Sequence, residues 1–203
     1  MAYTVLHSDT VESEIAETIV FASGYALTEL LRLKRAHPSV EQRPPLLCEN
    51  ALFLFPCIAD SLGKQLLGWP HWILKYRYTQ LGLLFGKFWK NERETSKDGR
   101  ELPVPPSHFL SVRESVRAKD LRFFEQTEWL RPALESSSDI GQNVFEDLAD
   151  HHEALDVLSA FLHEPTLLHF ERATASLAQS GFYSRVKNLA AIELEAHKRH
   201  NTN

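Results

Sequence analysis

Glycine and cysteine are scarce in this chain, and each scarcity excludes a kind of chemistry. Only eight glycines occur in 203 residues. None forms a phosphate loop or the spaced glycine motif of a dinucleotide site, so the usual backbone cradles for phosphate are missing. The two cysteines, Cys48 and Cys57, make neither a CxxC pair nor a disulfide framework. They exclude a cysteine-built zinc site, fit a reducing, cytoplasmic setting, and read as small buried hydrophobes in apolar surroundings. Nucleophile-elbow serines, Glu-x-x-His pairs and His-Glu-x-x-His strings are also absent, which removes the short signatures of several hydrolase and metal sites. Long apolar runs are missing too. Uncharged apolar runs such as 50–59 and 65–74 fall well short of the ~18 residues that span a bilayer. No transmembrane helix is expected, and Met1 to Leu6, without a basic start, carries no secretory signal.

What remains is an ordinary globular composition, 43% hydrophobic and 24% charged, in a length that suits one core and a single domain over 1–203. The net charge of −5 conceals an asymmetry. Lys75 to Arg122 holds 11 basic and 6 acidic residues, a balance of +5, whereas Phe123 to Glu171 holds 1 basic and 11 acidic, a balance of −10. Such polarity steers a charged partner or aligns subunits head to tail, or it marks nothing more than solvated faces. Basic and aromatic residues interleave from Lys75 to Lys90, but the acidic second half opposes a phosphate-binding footprint. Nucleic acid is therefore not an expected partner.

Helical periodicity dominates the pattern. Asp9 with Glu12 resembles a capping box, followed by a stripe of Ile15, Ile19, Ala22, Ala26, Leu30 and Leu33, and predicts a helix over about 10–36. A second helix over 46–67, kinked at Pro56, is expected after a proline-marked loop. Leu74, Tyr78, Leu81, Phe85 and Phe88 form the next stripe. Ile73, Tyr76, Leu83 and Leu84 leave little polar circumference, so a helix over 72–89 is expected at the centre of the bundle or against a second copy. Gly82 and Gly86, four residues apart, allow another backbone to approach. Residues 91–107, with the turn signal Asp98-Gly99, read as a long polar loop or small hairpin. Ser107 then caps a helix through Phe109, Val112 and Val116, and Asp120 caps another containing Phe123, Phe124 and Trp129. Helices over about 143–163 and 166–180, the latter closed by Gly181, and a last one through Tyr183, Val186, Ala190 and Leu194 complete the expectation. The predicted fold is all-α, a single-domain bundle of seven to nine helices.

Val144, Leu148, His151, Leu155, Leu158 and Leu162 fall within a band of roughly 80° at about 100° per residue, which places an imidazole inside an aliphatic seam. Asp147 lies one turn earlier and is its natural partner. His151 and Asp147 are thus the candidate catalytic pair. With His152 they are candidate ligands to a metal or haem iron, although a core histidine satisfied by Asp147 fits the same pattern. His152 and Asp156 form a second pair at the same offset. Arg113 and Arg117, sharing a helix face, are candidates to hold a carboxylate or phosphate, or to pair with the acidic half of the chain. Trp72, Tyr76 and Tyr78 are candidates to line a pocket for a flat or lipidic ligand, or to be core. Two functions follow as expectations. One is a small-molecule or cofactor-binding bundle, an enzyme if a metal or haem is present. The other is a non-catalytic interaction or regulatory bundle that self-associates, as a homo-oligomer, through the 72–89 helix.

Overall fold

Three stretches that read as helical from their stripes, 48–54, 83–88 and 108–114, are strands, and with the first residues of the chain they build a sheet. The computed structural model describes residues 2–36, 48–96, 98–116, 120, 144–145 and 152–200. Within them the order is β1 (Ala2–His7), α1 (Ser13–Ala36), β2 (Cys48–Leu54), α2 (Gly68–Tyr78), β3 (Leu83–Phe88), β4 (His108–Glu114), α3 (His152–His163), α4 (Leu167–Gln179) and α5 (Phe182–His200). A 3-10 turn at Asp60–Leu62 and one helical turn at Gly63–Leu66 precede α2. The sheet runs β1-β2-β4-β3, with β1 and β2 parallel and the other neighbours antiparallel. The all-α bundle is therefore corrected to a mixed α/β fold of five main helices and four strands among the described residues. No described helix is long and apolar enough to cross a membrane.

Local chemistry explains each departure. His108, Leu110 and Val112 are 4–6% exposed and alternate with the less buried Phe109, Ser111 and Arg113, the period of a half-buried strand. Pro56 ends β2 rather than kinking a helix, since it offers no ladder donor. The stripe from Leu74 to Phe88 breaks at Gly82, whose φ of 72° terminates the turn after α2 and is a conformation that side chains resist. Beyond it β3 and β4 are joined by an extended hairpin. Leu102 N–H donates to Glu94 (2.9 Å), Ser96 N–H to Arg100 (2.8 Å), and Thr95 bridges Glu101.

Helix α1 occupies the middle of the fold. One side packs on β2 and β4, another on α2, and a third on α4, so Val20 to Thr28 are buried all round. Its polar side chains are satisfied internally: Ser23 and Thr28 each donate to the carbonyl four residues back, at 2.6 Å. At Gly24 α1 lies close against its neighbours. A Cβ there would sit 2.6 Å from Leu74 Cδ1 and 3.1 Å from Leu110 Cδ1. The α4 helix is capped by Thr166, whose side chain accepts from His169 N–H, and Gly181 follows it at φ 72°. Of the two free cysteines, Cys48 is buried but Cys57 is exposed, correcting its reading as a core hydrophobe.

Candidate functional site

The residues singled out by the sequence are not brought together. Asp147, His151 and Arg117 lie outside the described residues, and the helix expected after Asp120 does as well. His152 opens α3, and Asp156 is exposed on that helix. Arg113 is not on a helix. It belongs to β4, where Asp120 grips it at 2.6 and 2.7 Å and also accepts from Val116 N–H at 2.7 Å. Of the two readings offered for Arg113, the structure displays the internal ion pair. Among the described residues no three histidines, cysteines or carboxylates gather as a metal site.

Tyr78 separates from its expected companions. Fully buried, it donates to Glu29 Oε1 at 2.5 Å, and Arg32 donates to both oxygens of the same carboxylate at 2.8 and 3.0 Å. The guanidinium also lies 5.7 Å from the Tyr78 ring centroid. Burial first, then the Glu29 charge, pushes the Tyr78 hydroxyl well above the ordinary phenol range, and the same two causes act on Tyr25. Phe145 closes this cluster edge-on against Tyr25 (5.2 Å) and Tyr78 (6.0 Å). A second carboxylate on α1, Glu17, accepts from the Tyr183 hydroxyl and from Lys187 (2.8 Å). A third, Glu49 on β2, takes Lys34 at 2.5 Å. Each of these three carboxylates is thus held by a phenol, a cation or both, an arrangement that fixes helices rather than leaving a base free to react. Sequence reasoning passed over Glu17, Glu29 and Glu49. Glu29 to Arg32, an i,i+3 pair inside an apolar stripe, was the available signal.

Trp72 and Tyr76 do meet. Their rings stack at 5.2 Å with planes 5° apart, and Trp69 meets Trp72 edge-on at 5.7 Å. On α2 the buried arc is Pro70, Ile73, Leu74 and Tyr78. The aromatic row lies outside that arc, with Trp69 and Trp72 partly buried against the core and Tyr76 47% exposed. Lys75 is exposed beside the row. His71, one turn before Lys75, donates from Nε2 to Phe85 O at 3.2 Å, which pins α2 against the edge strand β3. Burial, followed by the charges of Lys87 and Lys75, lowers His71 to about 4. The strip thus combines stacked aromatic faces with ammonium groups, and no deep pocket is required to reach it.

The His71 shift has a measurable consequence. With the folded value below the unfolded 6.5, its contribution to stability is full above about pH 6.5 and is lost as pH falls toward 4, because the unfolded chain takes up the proton first. The loss is on the order of 1–2 kcal/mol after allowing for solvent at the ring, or ~2–4 °C per kcal/mol in melting temperature. His71→Gln keeps a donor for Phe85 O and is expected to flatten this acid slope. Melting curves of both proteins across that pH window test it, and equal slopes would contradict the pinned, neutral imidazole.

At the far end of the sheet His108 accepts Lys90 N–H on Nδ1 at 3.1 Å, and burial lowers its pKa. Its ring rests on Gly63, where a Cβ would lie 2.2 Å from Cε1. With Nδ1 occupied, this imidazole offers a donor and not a base. Comparison with known proteins finds no matching family model, no similar curated protein and no similar solved structure. The functional reading rests on the geometry alone.

Proposed function

We propose that this protein is a non-catalytic interaction module whose docking surface is the aromatic row Trp69, Trp72 and Tyr76 with Lys75 at its border. The observation that carries the reading is the parallel Trp72–Tyr76 stack with Tyr76 47% exposed. A large aromatic face kept partly in water on a rigid helix is the kind of group that anchors protein contacts, since it buries much area on binding with little rotamer entropy to lose. The internal pairing of Glu17, Glu29, Glu49 and Arg113 supports a binding role over chemistry at those groups. The partner is an acidic segment with an apolar face. Lys75 and Lys87, both close enough to depress His71, set a positive field beside the rings that favours it.

A titration with two synthetic amphipathic helices, one with a Leu/Glu pattern and one with Leu/Lys, tests this through tryptophan fluorescence. The acidic peptide is expected to bind and the basic one not. Trp72→Ala or Tyr76→Ala is expected to weaken binding by about 2 kcal/mol, roughly thirtyfold, with an unchanged melting temperature for Tyr76→Ala. Equal binding of both peptides, or affinity indifferent to these substitutions, would sink the reading.

A further inference from the structure

We infer that the partner is a helix lying along the seam between α2 and β3, which presents two acidic residues two turns apart, one to Lys75 and one to Lys87, with an uncharged turn between them. The inference rests on the docking role proposed for the Trp72–Tyr76 row and specifies what docks there. Two contacts fix the seam. His71 Nε2 donates to Phe85 O at 3.2 Å, and a Cβ added to Gly63 would lie 2.8 Å from Trp89 Cβ. The path from Gly63 to His71 is helical, since Leu67 N–H donates to Gly63 O and His71 N–H to Leu67 O, each at 3.1 Å. Residue 63 thus meets 89 and residue 71 meets 85, so helix and strand run in opposite directions. Lys75 lies one turn past His71 on the same helix face. Lys87 lies two residues past Phe85. Both are paired with buried β4 residues, Leu110 for Lys87 and Val112 for Phe85, so their side chains leave the sheet on the helical side. The two lysines therefore bracket His71, with backbones about 12 Å apart along the seam, ~6 Å from four residues of helix and ~6 Å from two of strand.

Charge complementarity sets the partner's pattern. Lys34 is matched by Glu49, Lys90 by Asp60 and Lys187 by Glu17. Among the described residues no carboxylate forms an ion pair with Lys75 or Lys87. Two unmatched cations on a chain with 27 acidic and 22 basic residues favour acid supplied from outside. Between them His71 is neutral, because it is spent as a donor to Phe85 O and burial lowers it to about 4. A carboxylate over the middle of the seam meets no cation there. Helix residues seven apart share a face and are separated by ~10 Å, close to the spacing of the two lysines. Acid, neutral turn and acid then face Lys75, His71 and Lys87 in order. Going round α2 from Lys75, Trp72 follows at about 60° and Tyr76 at about 100°, so an apolar ridge beside the acidic flank lands on the aromatic row.

Two peptides of identical composition test the spacing on the full chain, read by tryptophan fluorescence at low salt. Both carry a leucine ridge; one has its two flanking glutamates seven residues apart and the other has them three apart. The wider spacing is expected to bind about fivefold more tightly, the worth of one further exposed ion pair. Lys75→Gln and Lys87→Gln are each expected to weaken the wider peptide by about threefold to fivefold, and the double variant by the product of the two. Circular dichroism confirms that these variants keep the fold. Equal affinity for the two peptides, or indifference of the wider one to Lys87→Gln, overturns the inference. If Trp72→Ala still weakens binding in that case, the docking role of the aromatic row stands without it. Binding of neither peptide, or binding that ignores Trp72→Ala, removes both.

Discussion

Arg32→Met is expected to lower the unfolding free energy by about 3 kcal/mol, the penalty for leaving a largely buried carboxylate without its cation. Arg32 is 6% exposed and supplies two of the bonds to Glu29, and the third comes from Tyr78 at the bottom of α2. Removing the guanidinium strands the charge between two helices. Removing the whole cluster is a different matter. Glu29→Leu, Arg32→Met and Tyr78→Phe together exchange a polar network for apolar volume, and such exchanges are often neutral or stabilising. The triple variant is therefore expected to recover most of the loss. Urea unfolding of the single and triple variants measures both, and an Arg32→Met midpoint within about 1 kcal/mol of wild type would mean that water reaches the pair.

Leu83→Glu has an effect of similar size from another cause. Leu83 is 0% exposed at the start of β3, facing the helices, and Gly82 just before it holds the turn. A carboxylate there must be desolvated or protonated. The expected cost exceeds about 4 kcal/mol, enough to unfold a domain of ordinary stability. Had 72–89 been one helix with an interaction face, the same substitution would dissociate subunits and leave the fold intact. Circular dichroism at 222 nm with a concentration series separates the outcomes, with loss of helical signal expected at every concentration.

The error over the sheet has a physical origin in the residues themselves. Phe85 and Phe88 fall at helical spacing after Leu74, Tyr78 and Leu81, and nothing in that spacing reveals that Phe85 faces α2 while Phe88 faces the opposite side. Gly82 carried the missing information, since a glycine inside a helical stripe is equally well a terminator with positive φ. In β4 the alternation of His108, Leu110 and Val112 was visible, but the four-residue offset of Arg113 and Arg117 favoured a helix. β2 is buried on both faces for most of its length, so it has no polar phase to betray its period. The helices α1 and α3 to α5 were legible because each has one long stripe and a recognisable end, such as Thr166 or Gly181. Of the candidate site, the Trp72 and Tyr76 pair could be read from the sequence. Its companions could not, because Lys87 reaches α2 only through strand pairing and Tyr78 turns 160° away on the helix at about 100° per residue.

The most direct measurement is to find where an acidic amphipathic peptide settles. A photoreactive group at the centre of the Leu/Glu helix, activated on the intact protein and traced by mass spectrometry, is expected to label the segment from Trp69 to Tyr76, with labelling abolished by Tyr76→Ala. Labelling that falls instead on the sheet face around Phe109, or spreads without preference along the chain, would contradict α2 as the docking surface.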